Sequence, residues 1–145
     1  MMPNSHLENG ELSGLEVMVV DDEAGVRELL ADHLHGHGLV VTTMPDGRAA
    51  VAALAGSNGR FGLVLTDINM PGADGFEVLR AARQANAAAE VVVITGYASS
   101  DSAQQALGLG AHSYLRKPFK LGQLDAILQG ICERLALADA GTRQM

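Results

Sequence analysis

The chain has a single cysteine, Cys132, in 145 residues. No internal disulfide can therefore staple it, and a reducing cytoplasm is its default compartment. It lacks any apolar run near the roughly 18 residues of a membrane span. The opening stretch, MMPNSHLENGELSG, has no apolar segment of the kind a secretory signal needs. Basic residues are also scarce: 10 Lys and Arg stand against 17 Asp and Glu, for a net charge of −7. No segment is markedly basic, which argues against a phosphate-backbone grip on bare nucleic acid. Glycine and proline, at 17 and 4, are too few for a linker or a collagen-like chain. What is present is 48% hydrophobic content in a length that supports one domain with its own core.

Residues 1–14 read as a flexible lead-in, 15–137 as one domain and 138–145 as a short polar tail. Between the ends, two kinds of segment alternate. Short apolar runs occur at Val17–Val20, Leu39–Thr42, Leu63–Leu65 and Val91–Thr95, with a weaker one at Ser113–Leu115. Apolar residues at consecutive positions predict strands covered on both faces.

Helix-period segments fill the gaps. Val26, Leu29, Leu30 and Leu34 mark the first, which closes at Gly36 and Gly38. The second starts at Asp46, a suitable N-cap, and carries Ala50, Val51 and Leu54 to Gly56. The third carries Phe76, Val78, Leu79 and Ala82, and a weak fourth spans Asp101 to Leu107. The fifth places Leu121, Leu124, Ile127, Leu128, Ile131 and Leu135 on one stripe. A β-α unit repeated five times predicts a doubly wound, five-stranded parallel sheet with right-handed crossovers. Periodicity leaves the strand order open. Ligand chemistry in such a sheet belongs at the carboxyl ends of the strands.

Those ends are where the polar residues collect. The first strand runs into Asp21-Asp22-Glu23, and the third into Asp67 within Thr66-Asp67-Ile68-Asn69-Met70-Pro71-Gly72. The fourth ends in Thr95-Gly96 and the fifth in Arg116-Lys117-Pro118-Phe119. Taken singly, each has a bland reading: an N-cap, a loop, a turn, a solvated lysine. Jointly they bring carboxylates, a hydroxyl and an ammonium to one edge. Clustered carboxylates resist ionising together unless a cation sits among them. Oxygen ligands that leave room for water and phosphate suit Mg²⁺. Lys117 would be redundant beside a metal alone, but an anion held between the two accounts for both. A phosphoryl group is that anion, with one carboxylate as its nucleophile.

At these residues the chain resembles the receiver domains of bacterial two-component response regulators. The likeness runs from about Leu15 to Leu135 and rests on VMVVDDE, LVLTDINMPGADGFEVL, VVVITGYAS and GAHSYLRKPF. The resemblance implies a flavodoxin-like fold with strand order 2-1-3-4-5. It also implies Asp67 as phospho-acceptor, with Mg²⁺ held by Asp21, Asp22, Asp67 and the backbone carbonyl of Asn69. Thr95 and Lys117 would hold the phosphoryl oxygens, with a cis peptide bond at Lys117-Pro118, and Thr95 and Tyr114 would act as the switch pair. Tyr97, after the threonine, is idiosyncratic to this chain.

The partners implied are a sensor histidine kinase or phosphotransfer protein, and a downstream protein on the face of the fourth helix, fifth strand and fifth helix. Homodimerisation on phosphorylation stays open. Nucleic acid and membrane are not expected as direct partners. Two other readings stand beside this one. The chain could be the receiver of a longer regulator with a DNA-binding or ATPase output domain, although ten residues after Leu135 leave no room for one here. An aspartate-nucleophile phosphatase would need a second aspartate two residues after Asp67, where Asn69 cannot transfer a proton. The expectation is therefore no enzyme turnover beyond the chain's own phosphorylation and dephosphorylation. His33 and His37, one helical turn apart, read as histidines at a helix C-terminus in preference to a metal site. Cys132 reads as a semi-buried small apolar residue.

Overall fold

The computed structural model of the chain describes residues 12–70, 73–96 and 100–143, with backbone alone at 100–103 and 136–143. Five strands alternate with five helices. They are β1 (Glu16–Val20), α1 (Ala24–Gly36), β2 (Val40–Met44), α2 (Gly47–Ala55) and β3 (Leu63–Asp67). Then follow α3 (Gly75–Ala85), β4 (Glu90–Thr95), α4 (Ser100–Gly108), β5 (Ser113–Arg116) and α5 (Leu121–Arg143). All strand pairs are parallel, and the order is β2-β1-β3-β4-β5. This is the flavodoxin-like arrangement.

The period-2 alternation of the strands feeds two cores. Val17, Val19, Leu63, Leu65, Val92 and Ile94 face Leu30 and Leu34 of α1 and Leu124, Leu128 and Ile131 of α5. Met18, Val20, Val64, Val91 and Val93 face Leu54 of α2, Val78 and Leu79 of α3, and Ala106 of α4. Each large buried side chain contributes about 1.5–3 kcal/mol, so these layers outweigh any single cap. The caps set where helices begin. Asp46 accepts from the Ala49 N–H at 2.8 Å. Asp74 and Glu77 close a capping box at α3.

Three expectations are corrected. The edge strands are not covered on both faces: β2 exposes Val40, and β5 buries Leu115 alone. Each has a neighbour on one side only, so its outer positions meet water. Leu29 is 49% exposed, off the stripe it was expected to join. Successive residues turn by about 100°, which carries Leu29 away from the arc of Val26, Leu30 and Leu34. Cys132 is fully buried in the α1–α5 core. At the ends, Leu12 is buried in that same core, inside the stretch read as a lead-in. Helix α5 runs to Arg143, through most of the stretch read as a tail. Among the described residues, no helix is long and apolar enough to cross a membrane.

Candidate functional site at the carboxyl edge of the sheet

Register brings the site together. Val20 pairs with Thr66, and Asp67 with Ile94, so β1, β3 and β4 end level with one another. Asp21 follows directly from β1, and Asp67 is the last residue of β3. Helix α3 can begin against Asp67 only because Gly75 has no side chain. A Cβ there would lie 2.6 Å from Ile68 Cα and closer still to the Asp67 carbonyl oxygen. The Gly75 N–H donates to the Ile68 carbonyl at 3.0 Å.

Lys117 arrives from the other side. Its backbone N–H donates to the Thr95 carbonyl at 2.7 Å, and its bond to Pro118 is cis. The ammonium donates to Glu23 Oε1 at 2.6 Å and to Asp67 Oδ2 at 3.2 Å. It lies 3.1 Å from Asp21 Oδ2. The other Asp67 oxygen, Oδ1, accepts from the Asn69 N–H at 3.1 Å. Asp21 Oδ1 accepts from the Glu23 N–H at 2.9 Å, and its carbonyl from Arg27 at 2.7 Å. The cleft above these groups has a volume of about 350 Å³ and is lined by Asp22, Glu23, Asp67, Asn69, Gly96 and Lys117.

The charges do not balance. Four carboxylates (Asp21, Asp22, Glu23, Asp67) surround one ammonium. Asp21 and Asp67 are buried, while Asp22 is exposed. Burial pushes the Asp67 carboxyl above its ordinary value; the Asn69 N–H and the Lys117 charge oppose that, and Asp21 adds to it. Burial alone would lower the Lys117 value. Its hydrogen bonds to Glu23 and Asp21 and the charge of Asp67 outweigh burial and hold it well above the usual range. Lys117 is therefore cationic near neutral pH.

The donor set fits a hard divalent ion. Asp21, Asp22 and Asp67 each offer an oxygen, all within 4.8 Å of one another. Asp21 Oδ2 is buried, and the Lys117 ammonium it meets at 3.1 Å is shared with Asp67 and Glu23. Burying carboxylate charge is costly, and a divalent cation held among the three aspartates would offset more of that cost than one shared ammonium does.

The site thus gathers Asp21, Asp22, Asp67, Asn69 and Lys117, with Thr95 buried beside them. Tyr114 is not in the cleft. It lies on β5, paired in register with Val93, and is 45% exposed. Tyr97 falls outside the described residues. Sequence reasoning passed over Glu23, read only as part of an acidic run, although its carboxylate is the nearest partner of Lys117. It also passed over Arg27 and Gly75. A glycine at the start of an otherwise amphipathic helix was the available signal for the last.

The model of the response regulator receiver domain matches residues 17–129. The transcriptional regulatory protein TcrA of Mycobacterium tuberculosis is 38% identical over 125 residues, which cover 86% of this chain and 49% of TcrA. The DNA-binding transcriptional regulator NtrC of Salmonella typhimurium is 36% identical over 113 residues, covering 78% of this chain and 24% of NtrC. The chain thus spans about half the length of one relative and a quarter of the other. A crystal structure of a receiver domain protein from Clostridium thermocellum matches with a TM-score of 0.77 at 26% identity, over 85% of this chain and 98% of that one.

Proposed function

The chain belongs to the response regulator receiver family, and from that premise we propose that it takes a phosphoryl group from a phosphohistidine donor onto Asp67. The observation that carries this is the convergence of Asp67 with two further aspartates and the Lys117 ammonium. In the transfer, an Asp67 carboxylate oxygen bonds to phosphorus as the phosphorus–nitrogen bond breaks, and the donor imidazole leaves with the bonding pair. Mg²⁺ would be held by Asp21, Asp22, Asp67 and the Asn69 carbonyl. When bound it would supply the charge that lets an anionic donor approach four carboxylates.

Each protein group then has a stated task. The Asn69 N–H and Lys117 aim Asp67 by holding its two oxygens. Lys117 exchanges its contact with Asp67 for a phosphoryl oxygen, while Glu23 keeps the ammonium over the cleft. Thr95, at the end of β4, supplies a hydroxyl to another phosphoryl oxygen. No second carboxylate stands two residues beyond Asp67 to act as a general acid, so turnover is limited to the chain's own acyl phosphate. The donor is a sensor kinase or phosphotransfer protein, encountered in the cytoplasm.

Output is contact with a partner protein through α4, β5 and α5. A second reading has one observation behind it: both relatives are named transcriptional regulators and extend well beyond the matched region. Under that reading the same face controls an attached output domain.

The test is incubation with Mg²⁺ and a small acyl phosphate, read by intact mass. One phosphoryl addition is expected, lost in Asp67→Asn and lost with excess chelator. Undiminished labelling of Asp67→Asn would overturn the assignment.

A further inference from the structure

A second cluster lies where α1 meets α5. His33 and His37 stand one turn apart at the end of α1, and Asp125 comes from α5. Both imidazole Nε2 atoms converge on one carboxylate oxygen, Asp125 Oδ1, at 2.7 Å from His33 and 3.2 Å from His37. The two rings meet edge to face with centroids 4.9 Å apart. All three residues are partly buried, beside the Leu30, Leu34, Leu124 and Leu128 packing that joins the two helices.

As hydrogen bonds, both rings share one carboxylate oxygen, whose two lone pairs can serve both. The same three groups are also a metal-ligand set. Their ligand atoms all lie within 4.8 Å of one another. Tetrahedral bonds of about 2.0–2.1 Å require ligand–ligand separations of about 3.3 Å. The two spacings to Asp125 Oδ1, 2.7 and 3.2 Å, are a little shorter than that value, and no pair of ligand atoms is more than 4.8 Å apart, so small side-chain shifts would close the site.

We propose that His33, His37 and Asp125 form a site for a borderline transition-metal cation of the zinc class, with a fourth position left to water. Two imidazoles and one carboxylate select such a cation, whereas Mg²⁺ and Ca²⁺ prefer oxygen throughout. The site is therefore chemically distinct from the carboxylate cleft and independent of the receiver reading. Spacing on one helix supplies two ligands and a second helix the third, so a bound ion staples α1 to α5.

The test is a calorimetric titration of the full chain with Zn²⁺ in excess Mg²⁺, added to compete for the carboxylate cleft. One Zn²⁺ per chain is expected, with a rise in thermal midpoint. His33→Ala and His37→Ala should each weaken binding at least tenfold, and His112→Ala should leave it unchanged. Asp125→Asn preserves side-chain shape and should also weaken binding, which guards against misfolding of the alanine variants. Ring-nitrogen NMR should show His33 and His37 moving on Zn²⁺ addition while His112 stays. No Zn²⁺ bound under these conditions, or equal affinity in the His33→Ala/His37→Ala double variant, would overturn the proposal.

Discussion

Around β3 the sheet and its helices meet backbone to backbone, whereas α4, beside β5, meets the sheet through sparse, small side chains. A Cβ on Gly75 would press into β3, and one on Gly47 would come 2.7 Å from the Ala73 carbonyl carbon and nearer its oxygen. Helix α3 buries Val78, Leu79 and Ala82 behind a complete capping box. On the other side, the side chain that α4 buries among those described is Ala106, while Leu107, Leu109 and Tyr114 are exposed. Burying an alanine methyl contributes about 0.8 kcal/mol, against roughly 1.5–3 for a leucine. Asp67, the proposed acceptor, therefore sits in the tight half. Lys117, which touches it, ends the loose half. A change of charge at Asp67 would act first on Lys117, which contacts it, and the loose half is the part able to yield.

Glycine substitutions probe that difference most strongly. Gly75→Val should cost about 3 kcal/mol or more of stability, because backbone rather than a side chain stands in the way. Gly108→Ala, at the end of α4 with nothing within 4 Å of its added methyl, should be neutral or stabilising by up to about 1 kcal/mol. Urea unfolding measures both. Equal losses at the two positions would break the comparison.

The same contrast decided what the sequence could disclose. The tight half is written in strong local signals: consecutive apolar residues in β3 and β4, Asp74 three residues before Glu77, and an amphipathic α3. Its elements and the aspartates at the strand ends were legible. The edge strands β2 and β5 were found, but their exposure was not, because an edge depends on which strand lies beside it and periodicity carries no strand order. That order entered through the family resemblance. Contacts between residues far apart in the chain were least legible. Glu23 meets Lys117, and Asp125 meets His33 and His37, only once the sheet has set the helices side by side. No spacing rule reaches across that distance.

A smaller effect is expected at Asp67 itself. Burial raises its carboxyl above the ordinary 3.8, so the folded state disfavours the ionised form. Above the raised value, folding bears the cost of keeping a charged carboxylate buried. As pH falls through the folded and then the unfolded value, that cost disappears. Asp67→Asn, in the absence of Mg²⁺, should therefore be more stable than wild type near pH 7. The advantage should shrink as pH falls through the raised folded value toward 3.8 and be gone below it. Urea midpoints across pH 3.5 to 7.5 measure this. A pH-independent difference would assign the effect to packing instead of charge.

The smallest effect on stability and the most specific effect on response belong to Tyr114. The side chain is exposed on an edge strand, so Tyr114→Ala should change stability by within about 0.5 kcal/mol. Its proposed role is different. Under this proposal a phosphoryl group on Asp67 would draw Thr95 toward the cleft and vacate space beside β4. Tyr114 lies one strand over, paired in register with Val93, and its ring can rotate inward to fill that space. The loosely held α4 would move with it, shifting the balance between two packings instead of building a new one. Backbone NMR with Mg²⁺ and beryllofluoride, a phosphoryl mimic, separates these events. In the wild type, shift changes should run from Asp67 through Thr95 to α4 and to Ser113–Arg116. In Tyr114→Ala the changes around Asp67 and Thr95 should persist while those in α4 collapse. An α4 response that survives the substitution undiminished would remove Tyr114 from the switch and leave Lys117 as the link between the two halves.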